Sequence, residues 1–297
     1  MTLAPFADDH VTVLHERLAA WFAHAARDLP WRRPDATAWH VMISELMLQQ
    51  TPVARVLPVY EQWVRRWPEP ADLAAEPAGE AVRAWGRLGY PRRALRLHAA
   101  AQAIVERHDG RVPRELDALL ALPGVGAYTA AAVASFAHGG RHAVLDTNVR
   151  RVLARAVGGE QHPPASVTAA ERRRAEALLP EDGAPVWAAS TMELGALVCT
   201  ASSPTCAACP VADLCRWRAL GYPEHDGPRR PTQKWDGTDR QCRGRLLAVL
   251  RDASGPVDKA LLDAAWPDDV QRERCLDGLV ADGLVEPVTD TLFALPR

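Results

Sequence analysis

Lysine is almost missing from this chain. Its 297 residues include only Lys234 and Lys259, so every basic side chain before residue 234, histidines aside, is an arginine. Chemistry that begins with attack by a lysine amine has no nucleophile in that long stretch. Also missing is any apolar run of membrane-spanning length. The opening "MTLAPFADDH" has neither the basic nor the apolar segment of a secretory leader. A cytoplasmic protein is the expectation. Net charge is −2 and the isoelectric point about 6.6, so composition alone does not point to nucleic acid. No internal repeat is visible, and no credible run of alternating strands occurs before about Trp217. The length allows one large core or two domains.

What is present is helix after helix. "VTVLHERLAAWFAHAA" (11–26) is amphipathic. Further helices are expected around Ala81–Trp85, Arg92–His108, Glu115–Leu120, Tyr128–Ala137, Asn148–Ala156, Thr168–Leu178 and Val186–Val198. The apolar helix in "VMISELMLQQT" should stop near Thr51, because a residue before proline avoids the helical region. Thr51 and Pro52 then read as N-cap and first turn of a helix running through Trp63. Residues 222–240, "GYPEHDGPRRPTQKWDGTDR" from Gly221 on, are rich in proline, glycine and charge and read as a linker. Residues 241–297 carry three helical patterns and two short strands around a Thr-Asp turn, a winged-helix-like unit. Such units dock a third helix in the DNA major groove, or serve as protein-docking caps.

Four of the six cysteines crowd into "CTASSPTCAACPVADLC": Cys199, Cys206, Cys209 and Cys215. At this density they read as metal ligands rather than disulfides. The spacing C-x6-C-x2-C-x5-C contains one C-x2-C pair, where zinc sites usually have two. It favours a [4Fe–4S] cube, with zinc as the alternative. Cys242 and Cys275 lie apart and read as core residues.

Glu45 stands in a segment that is apolar on every side, where a lone carboxylate is costly. Either a partner neutralises it or the site uses a carboxylic acid that keeps its proton. "LPGVGAYTAAAV" (122–133) places Pro123, Gly124 and Gly126 in a tight turn at the start of a helix, an anion site or equally a plain helix–helix turn. In "LDTNVRRVLAR" (145–155) Asp146 sits just ahead of a helix, where most aspartates are N-caps. Arg150, Arg151 and Arg155 would add positive charge near a phosphate track.

Together these stretches resemble the helix-hairpin-helix, iron–sulfur DNA glycosylases of the endonuclease III mould, and within them the adenine DNA glycosylase (MutY) family. The matching segments are "LPWR" (29–32), "SELMLQQT" (44–51), "LGY" (88–90), "LPGVGAYTA" (122–130), "LDTNVRRVLAR", "MELGALVC" (192–199) and the cysteine loop. The resemblance implies a mainly α fold: a two-domain helical catalytic region over 1–221 with its iron–sulfur loop at 199–215, followed here by the small winged-helix-like domain. It implies a monomer that binds double-stranded DNA carrying adenine opposite 8-oxoguanine or guanine, reaches the nucleoid by way of that DNA, and does not bind a membrane. Glu45 would be the acid that protonates adenine, and Asp146 the carboxylate that stabilises the sugar cation. Tyr128 and Asn148 would hydrogen-bond in the same site. Gln50, Thr51, Leu88, Tyr90, Gly124 and Gly126 would contact DNA, and Trp31, Arg32 and Leu48 would line the adenine pocket. Bifunctional relatives carry a lysine where this chain has Tyr128, so hydrolysis without strand cleavage is implied. A mismatch thymine or uracil glycosylase of the same fold, or a non-catalytic iron–sulfur DNA-binding or redox protein, are the rival readings. Three departures stand out: Pro91 replaces a second tyrosine, Ala189 stands where a Gln or Glu is common, and the C-terminus is too short for a Nudix-like domain.

Overall fold

A computed structural model describes residues 8–225 and 235–297; residues 226–234 of the expected linker lie outside the described residues. The helices in chain order are α1 (Asp8–Ala25), α2 (Ala38–Leu48), α3 (Val53–Arg66), α4 (Pro70–Ala74), α5 (Ala78–Trp85), α6 (Arg92–Arg107), α7 (Leu116–Leu120) and α8 (Ala127–Phe136). They continue as α9 (Thr147–Leu153), α10 (Ala169–Ala177), α11 (Ala184–Leu197), α12 (Arg216–Ala219), α13 (Asp239–Asp252), α14 (Lys259–Asp263) and α15 (Asp269–Ala281). The strands are β1 (Val257–Asp258), β2 (Glu286–Pro287) and β3 (Leu292–Ala294). The chain divides into two compact units, residues 1–36, 114–116 and 126–229 in the first, and 37–113, 117–125 and 230–297 in the second.

In the first unit α11 packs against both α1 and α9. Its core gathers Leu14 and Leu18 of α1, Val149 and Val152 of α9, and Trp187 and Leu194 of α11. The His15 ring meets Trp187 edge-on at 4.6 Å while its Nε2 lies 2.8 Å from the Leu178 carbonyl oxygen. The same core continues into the cysteine loop through Val198 and Val211.

In the second unit α6 is amphipathic, burying Ala94, Leu97, Ala101 and Ile104 at helical spacing. Trp63 contacts Trp67 and Trp85 edge-on, at 4.7 and 5.5 Å, and Trp39 Nε1 donates to the Trp67 carbonyl at 3.1 Å. Helix α2 starts at a Thr37 cap whose hydroxyl accepts from the His40 amide. It ends at Leu48 because the chain turns left-handed at Gln50, φ 56°. Thr51 is not the cap of α3, contrary to its sequence pattern. That helix opens one residue later, after Pro52, and the Thr51 hydroxyl is taken by Arg93.

Residues 239–297 form three helices and a three-stranded antiparallel sheet of order β1-β3-β2, with Val257 opposite Phe293 and Glu286 opposite Ala294. The strand β1 has no counterpart in the sequence pattern, being two residues long. This part packs on α5. The Arg83 guanidinium donates to the carbonyls of Leu250, Arg251 and Ala253. Arg251 Nε donates back to the Val82 carbonyl at 3.1 Å, and the Gly79 amide donates to the Pro296 carbonyl at 2.6 Å.

Candidate functional site

Glu45 is 4 % exposed, on a turn of α2 where Met42, Ile43, Leu46 and Met47 are buried completely or almost so. The burial expected of it is present. Leu48, at the end of that helix, is only half-buried. The helix then meets Arg93, a buried arginine that sequence patterns did not single out. Arg93 Nη1 donates to the carbonyls of Leu46, Met47 and Gln49 at the end of α2. Its Nη2 donates to Thr51 Oγ1 and to the Gly89 carbonyl, both at 3.0 Å. Burial pulls its pKa down to about 10. The end of an α-helix leaves carbonyls unpaired, and here one guanidinium collects them. It also joins the two loops that carry Gln50 and Tyr90.

Both loop residues have left-handed backbones, φ 56° at Gln50 and 49° at Tyr90. That conformation is rare for any side chain and an outlier for a bulky one. Gln50 and Tyr90 are exposed, whereas Thr51 and Leu88 are buried. Thr51 therefore holds Arg93 in place, and Leu88 packs in the core of the free protein.

The turn at 122–126 has the form its glycines suggest. Gly124 has φ +75°, and a Cβ there would lie 2.5 Å from that of Arg96 on α6. Gly126 is the N-cap of α8 and has open space about it. Gly126 and Ala127 are exposed, and the unpaired amides of a helix start are the arrangement that suits an anion. Tyr128, in the first turn of α8, packs with Phe136 and Met192 against a small cluster around Ala132 and Ala188.

Asp146 caps α9. Its Oδ1 accepts from the Val149 amide at 2.6 Å and its Oδ2 from Asn148 Nδ2 at 2.8 Å. Burial pushes its pKa up, against those two hydrogen bonds and the nearby Arg151 charge, which pull it down. Arg151 Nη2 in turn donates to Asn148 Oδ1 at 2.8 Å and to the Gly195 carbonyl at 2.6 Å, while its Nε donates to the Cys199 carbonyl at 2.7 Å. Gly195 has to be a glycine: a Cβ there would stand 2.6 Å from Asn148 Cβ and 2.9 Å from its carbonyl oxygen.

The three arginines expected along a phosphate track are spent inside the fold. Arg150 forms a two-pronged pair with Glu171 at 2.7 and 2.9 Å. Arg151 is engaged as above. Arg155 is 1 % exposed and donates to the carbonyls of Gln161, Thr200 and Ala201. Arg150 and Arg151 on α9, which packs along α11, and Arg155 on the π-helical turn Ala154–Gly158 that follows it, run toward α10 and the cysteine loop rather than outward.

Trp31 is buried in the 3₁₀ turn Pro30–Arg32. Arg32 pairs with Glu193 of α11 at 2.9 Å, and Arg27 grips the same carboxylate through its backbone amide and guanidinium at 3.0, 2.7 and 2.8 Å. Burial alone would raise the Glu193 pKa, but Arg27 and Arg32 outweigh it and hold it down at about 2. One Arg32 nitrogen, Nη1, is buried with no hydrogen-bond partner. Glu193 and Arg27 were not singled out from the sequence; the only signal was a second glutamate in an apolar helix, "TMELGAL".

The four clustered cysteines line one cavity together with Arg155 and Trp217. Arg155 lies over the Trp217 ring at 4.7 Å and places Nη1 3.4 Å from Cys199 Sγ. Burial and the neighbouring thiols push the Cys209 pKa up to about 11, so these sulfurs ionise together only with metal bound to them. Four thiols lining one cavity, each able to take a separate iron, fit a [4Fe–4S] cube.

Comparison with known proteins gives the same assignment. The family model described as HhH-GPD superfamily base excision DNA repair protein matches residues 43–176, and the iron–sulfur binding domain of endonuclease III matches residues 199–215. The cofactor is accordingly a [4Fe–4S] cluster, and the matched loop is the one that carries the four clustered cysteines. The adenine DNA glycosylase of Mycolicibacterium smegmatis is 54 % identical over 280 residues, 94 % of each chain. That of Mycobacterium tuberculosis is 52 % identical over 281 residues, covering 94 % of this chain and 92 % of the relative. Both likenesses extend too far along the chain to leave out the C-terminal region. The structure of a thermostable thymine-DNA glycosylase superposes with a TM-score of 0.65 at 28 % identity, over 72 % of this chain and 98 % of that one. Fold, cysteine loop and kinship agree: the chain belongs to the adenine DNA glycosylase family of the HhH-GPD superfamily.

Proposed function

We propose that this chain is a base excision repair enzyme that hydrolyses the N-glycosidic bond of adenine paired with 8-oxoguanine or guanine in duplex DNA, and leaves the strand uncut. The observation that carries the reading is Glu45, a carboxyl buried in the apolar body of α2, in a chain whose relatives are adenine DNA glycosylases. Neutral adenine leaves a sugar poorly. In this reading Glu45, so placed, gives a proton to a ring nitrogen of the extruded base. As adenine departs, positive charge develops on the sugar, and the Asp146 carboxylate stabilises it. Water then adds at C1′, sheds a proton and leaves an abasic site. Asn148 orients Asp146 through its 2.8 Å hydrogen bond, and Tyr128 stands where a lyase would carry its amine.

Gly124 and Gly126 bring backbone amides to a phosphate. Gln50 and Tyr90, on their left-handed loops, meet the opposing strand; Thr51 supports them, and Leu88 follows only if its loop opens. Trp31, Arg32 and Leu48 are assigned to adenine recognition, with the buried Arg32 Nη1 as a donor to the base. The cluster, bound by its four cysteines, holds the 199–215 loop in one shape. The enzyme acts as a cytoplasmic monomer, with residues 1–221 catalytic, 222–240 a linker and 241–297 a small winged-helix-like part that packs within the second compact unit.

The test is base release from duplexes with A opposite 8-oxoguanine, A opposite G, and T opposite G, each developed with and without alkali. Adenine release from the first two, with breaks only after alkali, supports the reading. Release of thymine alone would replace it with a mismatch thymine glycosylase, and breaks without alkali would make the enzyme a lyase.

A further inference from the structure

Between Glu80 and Glu106 the chain carries no acidic residue and five arginines: Arg83, Arg87, Arg92, Arg93 and Arg96. The structure sorts them by what each guanidinium already holds. Arg83 grips Glu80 and the carbonyls at the end of α13. Arg93 collects the carbonyls at the end of α2, and Arg92 pairs with Asp282 at 3.2 Å. The Arg96 stem lies across the turn at Gly124. Arg87 is exposed, and among the described residues nothing hydrogen-bonds or pairs with its guanidinium.

The backbone that carries Arg87 is firmly held. Gly86, Gly89 and Tyr90 have positive φ, 54°, 84° and 49°. Four consecutive carbonyls of this loop each have a donor within the protein. That of Arg87 accepts from Arg55 Nη2 on α3, and that of Leu88 from Thr51 Oγ1 at 3.4 Å. That of Gly89 accepts from Arg93 Nη2 and Trp85 Nε1, both at 3.0 Å, and that of Tyr90 from the Arg93 amide at 3.0 Å. The oxygens that would repel a phosphate are thereby occupied, while the side chains of Arg87 and Tyr90 stay exposed. A loop already ordered loses little freedom when it binds.

We infer that Arg87 binds the phosphodiester backbone of the strand opposite the excised adenine, next to the point where Tyr90 meets that strand. The inference rests on the proposed reaction, which gives Tyr90 this contact. Three residues span at most about 10 Å, so a strand lying on Tyr90 passes within reach of the Arg87 side chain. The guanidinium has no acid to give up when it takes a phosphate, and its fork of N–H donors matches two phosphate oxygens. Such a contact carries no base information. It grips the opposing strand whatever base stands there.

The experiment uses the full chain with its cluster and a duplex bearing a tetrahydrofuran abasic-site analogue in place of adenine, opposite 8-oxoguanine, guanine or cytosine. Affinity is measured as a function of salt for the parent, Arg87→Ala and Arg87→Lys. Arg87→Ala should weaken binding about tenfold at moderate salt, alike on all three duplexes, and reduce the salt slope by about one, with unchanged thermal unfolding. Arg87→Lys should recover most of the slope. Neutral methylphosphonates are then placed singly in each strand. One beside the opposing base should weaken the parent and leave Arg87→Ala almost unaffected, because both changes remove the same contact. Parent-like affinity and slope in Arg87→Ala would overturn the inference. So would a loss confined to the 8-oxoguanine duplex, which would make Arg87 a base reader, or a shared methylphosphonate site in the adenine strand alone. Adenine release by the parent is scored separately: its absence would sink the proposed reaction, while the salt slopes and methylphosphonates would still judge Arg87.

Discussion

Asn148 Nδ2 donates to Asp146 Oδ2 at 2.8 Å, and its own Oδ1 accepts from Arg151 at 2.8 Å. One amide thus fixes the carboxylate's direction and is itself held by a cation. Burial raises the Asp146 pKa, and this hydrogen bond is among the forces that lower it. Asn148→Ala removes a lowering contribution, so the acid limb of the kcat profile should move to higher pH. In the proposed reaction Asp146 works ionised, so the rate at the acid end should fall and recover as pH rises. A profile that keeps its acid limb in place would contradict the role given to Asn148.

Gly195→Ala drives a methyl group into the backbone of Asn148. Overpacking of this kind costs about 1–3 kcal/mol. Thermal unfolding should report that loss, and single-turnover excision should slow further than stability alone explains, since the displaced residue orients Asp146. Equal unfolding and equal turnover would show that α9 and α11 have slack.

Arg93→Ala leaves the carbonyls of Leu46, Met47, Gln49 and Gly89 and the Thr51 hydroxyl without their donor. Each unsatisfied buried group costs about 1–3 kcal/mol, so the chain should be destabilised by at least about 3 kcal/mol. Arg93→Lys replaces a five-donor fork by a three-donor point. It should fold and yet bind DNA more weakly, because the Gln50 and Tyr90 loops lose their common anchor. Denaturant unfolding alongside a binding titration separates the two effects.

Glu193 has a folded pKa of about 2, below its ordinary 4.5. A lowered folded value gives stability that is full above the ordinary value and is lost as pH falls toward 2. The parent should therefore lose stability between about pH 4.5 and 2, with Arg27 and Arg32 released as Glu193 protonates. Glu193→Gln should be less stable at neutral pH and show a flatter acid limb over that window. The same steep limb in both proteins would assign acid sensitivity to other carboxylates.

Much of this was legible in the chain. Helices with a clear apolar face, such as α1 and α6, stand where their periodicity puts them, because burying that stripe is what holds them. Cysteine spacing gave the cluster loop for a similar reason: four ligands within a short span restrict what can bind. Glu45 was conspicuous because an ionisable group in an apolar helix breaks the local rule. What was hidden was every choice of partner. Nothing near Thr51 reveals that an arginine on the next but three helices claims its hydroxyl and moves the start of α3. The arginines 150, 151 and 155 look the same in sequence whether they face phosphate or a cysteine loop. Glu193 and Arg93 were passed over because their importance lies in groups distant along the chain.

The most direct measurement of the central claim compares Glu45→Gln with the parent on a duplex bearing adenine opposite 8-oxoguanine, following free adenine and DNA affinity in the same samples. The amide has nearly the same shape and no acid proton to give. The account predicts that adenine release falls by a factor of at least about 100 while affinity stays close to that of the parent. Adenine release at the parental rate would contradict it.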